Sequence, residues 1–256
     1  MQSSVAVGGI SFVVFLGISF LLAKWAVSPV ENAWNQQKQF VADASHELKT
    51  PLTVIMTTAE MLSNEPYEEE QRGQMAGNIL TMSHQMRGLV ESLLELARVD
   101  SGTFKATFSP VDFSALTSDA VLPFEPVFFE QGLGFESQIE ENIGVSGSAA
   151  HLKQVIDIFL DNAVKYATPG GSVVLTLRRI GNACLLAVSS PGATMSKEDL
   201  KNIFRQFYRM DKARTMDHGY GLGLSIAESI VKQHKGKIWA ESEAGVNTFF
   251  VQLPVI

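Results

Sequence analysis

The 256-residue chain has one cysteine, more acidic than basic residues, and no lysine or arginine before Lys24. Each scarcity closes off a class of protein. Cys184, in the apolar run ACLLAV, cannot form an internal disulfide; this fits a reducing compartment and a small core residue rather than a reactive thiol. Twenty-seven acidic residues against twenty basic ones give a formal charge of -7, which argues against direct nucleic-acid binding, since that needs a basic surface. No internal repeat or low-complexity tract is visible. Charge is missing altogether from residues 5–23, VAVGGISFVVFLGISFLLA. At about 1.5 Å per residue this stretch crosses most of a bilayer core of roughly 30 Å. It is read as a transmembrane helix. Because every basic residue follows it, the positive-inside tendency places residues 24–256 in the cytoplasm. A secretory signal peptide is the competing reading, but no basic residue precedes the apolar stretch and no small-x-small cleavage site follows it.

What is present divides the remainder in two. Ser28 and Pro29 suggest a break or helix start, and a helix is then expected to about Ser63. Its apolar positions Val41, Ala44, Leu48, Leu52, Ile55, Ala59 and Leu62 step mostly by three and four. Residues 64–70, NEPYEEE, supply a turn. The next helix carries Met75, Ile79, Met82, Met86, Leu89, Leu93 and Leu96 at strict heptad spacing. These methionines are seam packing rather than a metal site. Two such helices cannot bury stripes this wide alone, so the expectation is an antiparallel hairpin that pairs with a second copy into a four-helix bundle.

After Gly102 the texture changes to short strands and helices. A strand near residues 104–111, a helix over 112–131 and another over 148–167 are expected, then strands over 172–180 and 183–188 around Gly181 and Asn182. A helix after Ser196, a glycine-punctuated loop, a helix after Gly223 and strands over 237–242 and 248–253 follow. This is an α+β pattern with helices on one face of a mixed sheet. The expected division is a transmembrane segment over residues 1–27, a helical hairpin over 28–102 and an α/β sandwich over 103–256.

Three runs carry chemistry. In residues 40–52, FVADASHELKTPL, His46 and Thr50 share a helix face at i and i+4, with Glu47 beside the imidazole. Leu48, Leu52 and Ile55 point toward the opposite, buried stripe. A neutral imidazole is a good nucleophile near pH 7, and a neighbouring carboxylate raises its reactivity; Pro51 adds local bending. In QVIDIFLDNAVKYAT, Asn162, Lys165 and Tyr166 line one face. An amide oxygen can ligate Mg²⁺ and an ammonium can meet phosphate, although a hydrated amphipathic face has the same pattern. In HGYGLGLSIAESIV, Gly219, Gly221 and Gly223 precede a helix, where amides and the helix dipole favour phosphate. A glycine trio alone is a weak signal.

The order of the runs resembles the two-component sensor histidine kinase family from residue 40 to the C-terminus: the His box, DNAVKY, VSSPGATM, FRQFYR, then GYGLGL. The resemblance implies a dimerisation and phosphotransfer hairpin followed by a Bergerat-type ATP-binding domain of the GHKL superfamily. It implies that His46 accepts phosphate from Mg²⁺-ATP and passes it to an Asp of a response regulator. Glu47 would be the general base, and Thr50 would hold a water for dephosphorylating the regulator. Asn162 would hold Mg²⁺, Lys165 would meet phosphate and Tyr166 would lie near the nucleoside. Ser190 and Gly192 would belong to the first glycine box, and Gly219, Leu222, Gly223 and Leu224, with Gly221, would border the ATP lid. Arg209 would reach the terminal phosphate, while Phe204, Phe207 and Tyr208 anchor the lid.

The chain also departs from the family. Ser190 stands where an Asp usually accepts a bond from the adenine amino group, and Thr194 where a second glycine is common. Charge-assisted hydrogen bonds are roughly twice as strong as neutral ones, which implies weaker ATP binding or altered base selectivity. Ile158 stands where another Asn is frequent, and His218 replaces a glycine. Family sensors usually have two membrane helices around an external domain, so this chain is expected to be a fragment or to sense through the membrane or a partner. Two rival functions follow: a catalytically impaired dimeric scaffold or nucleotide-gated binding module for a regulator, and a GHKL-type ATPase, which leaves HELKTP unexplained.

Overall fold

A computed structural model describes residues 2–64, 66–100, 108–210 and 219–256; within these, the side chains at 2–11, 13, 14, 25, 26, 29, 32, 33, 99 and 100 are outside the description. Helices α1 (Gln2–Asn64) and α2 (Glu69–Asp100) form an antiparallel hairpin. The heptad seam of α2 turns inward as its spacing dictates. Met75, Ile79, Met82, Met86 and Leu93 are half-buried, and Leu89 and Leu96 are fully enclosed. Opposite them, α1 contributes Ala44, Leu48, Ile55 and Leu62, all half-buried, together with buried Pro51. Two parts of the expectation for α1 fail, the seam and the break. Val41, at 54%, and Ala59 are exposed, although both belong to the expected seam. Leu52, placed in the seam, is 42% exposed, because Pro51 takes the inward position beside it. The break at Ser28 and Pro29 is also not there: α1 runs through both as one helix. A proline removes a single donor, and cooperative turns on either side carry the helix past it. Among the described residues no helix is long and apolar enough to cross a membrane; much of the span expected at residues 5–23 lies outside the described side chains.

The second unit opens with β1 (Ser109–Asp112), whose last residue caps α3 (Phe113–Val121) by accepting from the Ala115 amide at 2.9 Å. The expected strand start and the boundary at residues 101–107 lie outside the described residues. The single helix expected over 112–131 is two helices, α3 and α4 (Phe124–Glu130), divided at Leu122 and Pro123. Proline has no N–H to continue the ladder, and it sits at the start of α4, where none is needed. Two strands absent from the sequence reading follow: β2 (Gly134–Ile139) and β3 (Gly144–Gly147). Then come α5 (Ala149–Tyr166), β4 (Ser172–Ile180), β5 (Ala183–Pro191), α6 (Lys197–Asn202), α7 (Gly223–Gln233), β6 (Lys237–Glu243) and β7 (Val246–Pro254).

The sheet order is β2-β4-β5-β7-β6, with β2 parallel to β4 and every other pair antiparallel; β1 and β3 form a separate two-stranded ribbon. This is the mixed sheet expected. Alternate residues of the central strands, Cys184, Leu186 and Val188 on β5 and Phe249, Val251 and Leu253 on β7, are buried with Ile156, Phe159 and Leu160 of α5 and Ile226 and Ile230 of α7. Burial holds the Cys184 thiol pKa up at about 11, so it is an inert core residue as expected.

The two units touch. Leu89 and Leu96 of α2 belong to the same continuous core as α7, and the rings of Phe40 and Phe207 lie 5.8 Å apart. The Tyr220 hydroxyl donates to the Gln85 carbonyl of α2.

Candidate functional site

Helix α5 is started by Ser148, whose side chain accepts from the His151 amide, and it carries an apolar stripe into the core. Its last turns therefore present polar residues at a fixed height above the sheet. Lys165 pairs with Asp161 one turn back, Nζ to Oδ2 at 2.5 Å. The same Nζ lies 3.6 Å from the point a Cβ would occupy on Gly219, and a Cβ on Gly223 would meet Ile158 of α5 at 3.4 Å. Thus the start of α7 is set against α5, and Lys165 stands at the glycine run.

Two of the three glycines in that run take a backbone that favours glycine. Gly219 and Gly221 take φ of 88° and 70°, a region costly for other residues. Gly221 is also closed in. A Cβ there would come within 2.7 Å of the Tyr208 carbonyl oxygen and 2.9 Å of the Phe207 carbonyl carbon, and the Phe207 amide donates to the Gly221 carbonyl at 3.0 Å. Phe207, itself at φ 60°, and Tyr208 thereby fasten the glycine run. The Tyr208 hydroxyl donates to Asp199 at 2.7 Å; the bond from Ser196 first, and then this one, hold the Asp199 carboxyl below its ordinary range, and the bond to Asp199 raises the Tyr208 hydroxyl. Leu222 is buried and Leu224 half-buried against the core, so their side chains seat the run rather than offer polar groups. Arg209 is half-buried next to this anchor. Residues 211–218, including His218, lie outside the described residues.

On the other side of α5, a Cβ on Gly192 would meet both the Tyr166 carbonyl oxygen and Asn247 Nδ2 at 3.0 Å. Ser190 is buried and pairs directly with Asn247 across β5 and β7. The structure thus gathers Tyr166, Ser190 and Gly192 at one end of α5 and sets Lys165 against the glycine run. Asn162 Nδ2 and Asn247 Oδ1 are buried without a hydrogen-bond partner among the described residues. Two orphaned amide atoms, a lysine and a glycine-lined helix start form a donor and acceptor set that fits a nucleotide with its phosphates. Asn162 would supply an oxygen to Mg²⁺ there. Among the described residues no cluster of three or more His, Cys, Asp or Glu could hold a metal by itself, so a cation here would depend on phosphate oxygens for most of its ligands.

On the hairpin, His46 and Thr50 are exposed and Glu47 is half-buried; the Thr50 hydroxyl donates to the His46 carbonyl at 3.4 Å. The docked Tyr220 links this region to the glycine run. Its hydroxyl pKa is raised first by burial and then by the charge of Glu47. Sequence reasoning missed three participants. Asp161 was readable from its i, i+4 spacing to Lys165, and Asn247 from being the one polar residue in the buried alternation of β7. Tyr220 had no local signal, because its contact is with a residue 135 positions away.

A phosphoacceptor-type helical hairpin joined to an ATPase-type sandwich is the class these features define. Residues 36–102 match the family model of the His kinase A (phospho-acceptor) domain, and residues 147–255 match that of the histidine kinase-, DNA gyrase B- and HSP90-like ATPases. The chain is 32% identical over 249 residues to the sensor protein DltS of Streptococcus agalactiae, covering 95% of this chain and 61% of that protein. Among solved structures it resembles the histidine kinase AdeS of Acinetobacter baumannii, with TM-score 0.64 and 21% identity over 82% of this chain and 97% of that one. It also resembles the histidine kinase ThkA in complex with response regulator protein TrrA, with TM-score 0.63 and 19% identity over 88% and 64%. The chain belongs to the two-component sensor histidine kinases. It spans about three-fifths of the length of DltS.

Proposed function

We propose that this chain is the kinase portion of a membrane sensor that phosphorylates His46 from ATP and passes the phosphoryl group to an Asp of a response regulator. The observation that carries this reading is the pairing, in one chain, of an exposed His with an adjacent carboxylate and a glycine-lined helix start that docks on the same hairpin through Tyr220. An imidazole nitrogen of His46 attacks the γ-phosphorus, the bond to the β,γ-bridging oxygen breaks, and ADP leaves with that electron pair. Glu47 takes the ring proton. Lys165 neutralises phosphate charge from its place at Gly219, and Arg209 serves the terminal phosphate. Asn162 would hold Mg²⁺, which would supply charge neutralisation to the phosphates. Thr50, one turn from His46, would position a water for hydrolysis of the regulator's acyl phosphate.

The active form is a homodimer in this reading. Val41, Leu52 and Met56 of α1 and Leu80, Val90 and Leu94 of α2 are between 40% and 59% exposed, a second apolar stripe that one hairpin leaves uncovered. Residues 5–23, uncharged and helical, anchor the chain in membrane lipid with the catalytic portion cytoplasmic, and a shift or rotation of α1 carries the signal. The test is incubation of the full chain with labelled Mg²⁺-ATP beside His46→Gln. Acid-labile, base-stable label that disappears in the variant is the expected result. A folded dimer that binds ATP yet gains no such label refutes kinase activity.

A further inference from the structure

Asn247 is a buried polar residue with one side-chain atom unsatisfied among the described residues. It is 6% exposed and sits at the end of the buried column of β7, directly opposite Ser190. Its amide orientation is fixed: Nδ2 donates to the Ala193 carbonyl at 3.0 Å, and a carbonyl can only accept. Oδ1 is the atom left over, buried and with no donor among the described residues. Buried acceptors are nearly always satisfied, so this one calls for an N–H from a ligand. The surroundings make room for one, since the glycine at 192 lies between the amide and the Tyr166 carbonyl, and a Cβ there would press on both at 3.0 Å.

We infer that Asn247 Oδ1 accepts a hydrogen bond from the exocyclic amino group of adenine, with the Ser190 hydroxyl donating to the adjacent ring nitrogen. This rests on the reading of the site as nucleotide-binding, and it names the residue that reads the base. A neutral amide acceptor suits a neutral amino donor, and a hydroxyl that can donate or accept adapts to the ring edge beside it. The pair recognises adenine without a carboxylate.

The experiment is calorimetric titration of the full chain with ATP and with purine riboside triphosphate, which lacks the amino group. It compares wild type with Asn247→Leu and Asn247→Asp, the latter keeping an acceptor. Wild type should favour ATP by about tenfold or more, since a buried acceptor is left unpaired by the analogue. Asn247→Leu should bring the two affinities together by weakening ATP alone, and Asn247→Asp should keep the preference. An unchanged ratio in Asn247→Leu, an equal loss for both nucleotides, or a wild-type preference for GTP would overturn the assignment while leaving a nucleotide site. A wild type that binds neither nucleotide overturns the site as well.

Discussion

Replacing Gly221 by Ala tests whether the glycine run is fastened as described. Its φ of 70° costs an L-residue roughly 1–2 kcal/mol. The new methyl would also stand 2.7 Å from the Tyr208 carbonyl oxygen and 2.9 Å from the Phe207 carbonyl carbon. Both are backbone atoms, so no rotamer relieves the contact, and forced shifts of this kind cost about 1–3 kcal/mol more. Gly170→Ala is the matched control, because Gly170 has φ 75° and open space around its Cβ position. Urea unfolding and ATP calorimetry on both variants separate the two contributions. If the run stays in place, Gly221→Ala should be less stable than Gly170→Ala by about 1–3 kcal/mol. If the run lets go, the hydrogen bond from Phe207 to Gly221 breaks, and ATP affinity falls by about tenfold to a hundredfold at roughly 1.4 kcal/mol per decade. A Gly221→Ala variant that matches Gly170→Ala in both stability and affinity would refute the closed-in geometry.

His234 gives a pH prediction. Its Nε2 accepts from the Ser148 amide at 3.0 Å, so Nδ1 carries the proton and donates to the Ile230 carbonyl at 2.8 Å. Burial first, and the neighbouring His151 to a lesser degree, hold its pKa below the ordinary 6.5, although the Ile230 bond opposes them. The native state thus binds the proton less readily than the unfolded chain, so this stability is fully present above about pH 6.5 and is lost as pH falls toward the lower folded value. Unfolding free energy between pH 7.5 and 5 should fall in wild type and flatten in His234→Gln; parallel slopes would count against it. On the hairpin, Leu94→Glu puts a charge on a half-exposed position of the second stripe. Light scattering should show monomer while circular dichroism keeps the helix signal, and a persistent dimer would exclude this face.

Legibility followed the range of the forces involved. The heptad of α2, the turn after Asn64, and strands β4 to β7 were readable because periodicity and turn residues are local. Strand β2 was not: GFESQI is half polar, lies at the sheet edge, and is held by β4 alone. Strand β3 has four residues, two of them glycine. Pro123 was overlooked as a divider although its chemistry was explicit. In the site, residue types and order pointed to Asn162, Lys165 and the glycines. Periodicity could not say that Asn247 would face Ser190, since that depends on which strands become neighbours.

The hairpin also shows why a heptad predicts burial without predicting its partner. Met75 and Met82 share a face with Leu89 and Leu96, yet the first pair is half-buried and the second pair fully enclosed. The difference is α7, which packs on the lower part of α2 and joins these leucines to the core of the sandwich. Packing within the hairpin and docking of the ATPase-type domain therefore share side chains. Phe40 against Phe207 ties α1 to the segment that fastens the glycine run, and Tyr220 on Gln85 ties the run itself to α2. A displacement of α1 relative to α2 cannot leave both contacts intact, because they grip different helices. Close-packed contacts of this kind switch rather than stretch, so a movement of α1 would be felt at Phe207 and Tyr220, the residues on either side of the glycine run's fastening.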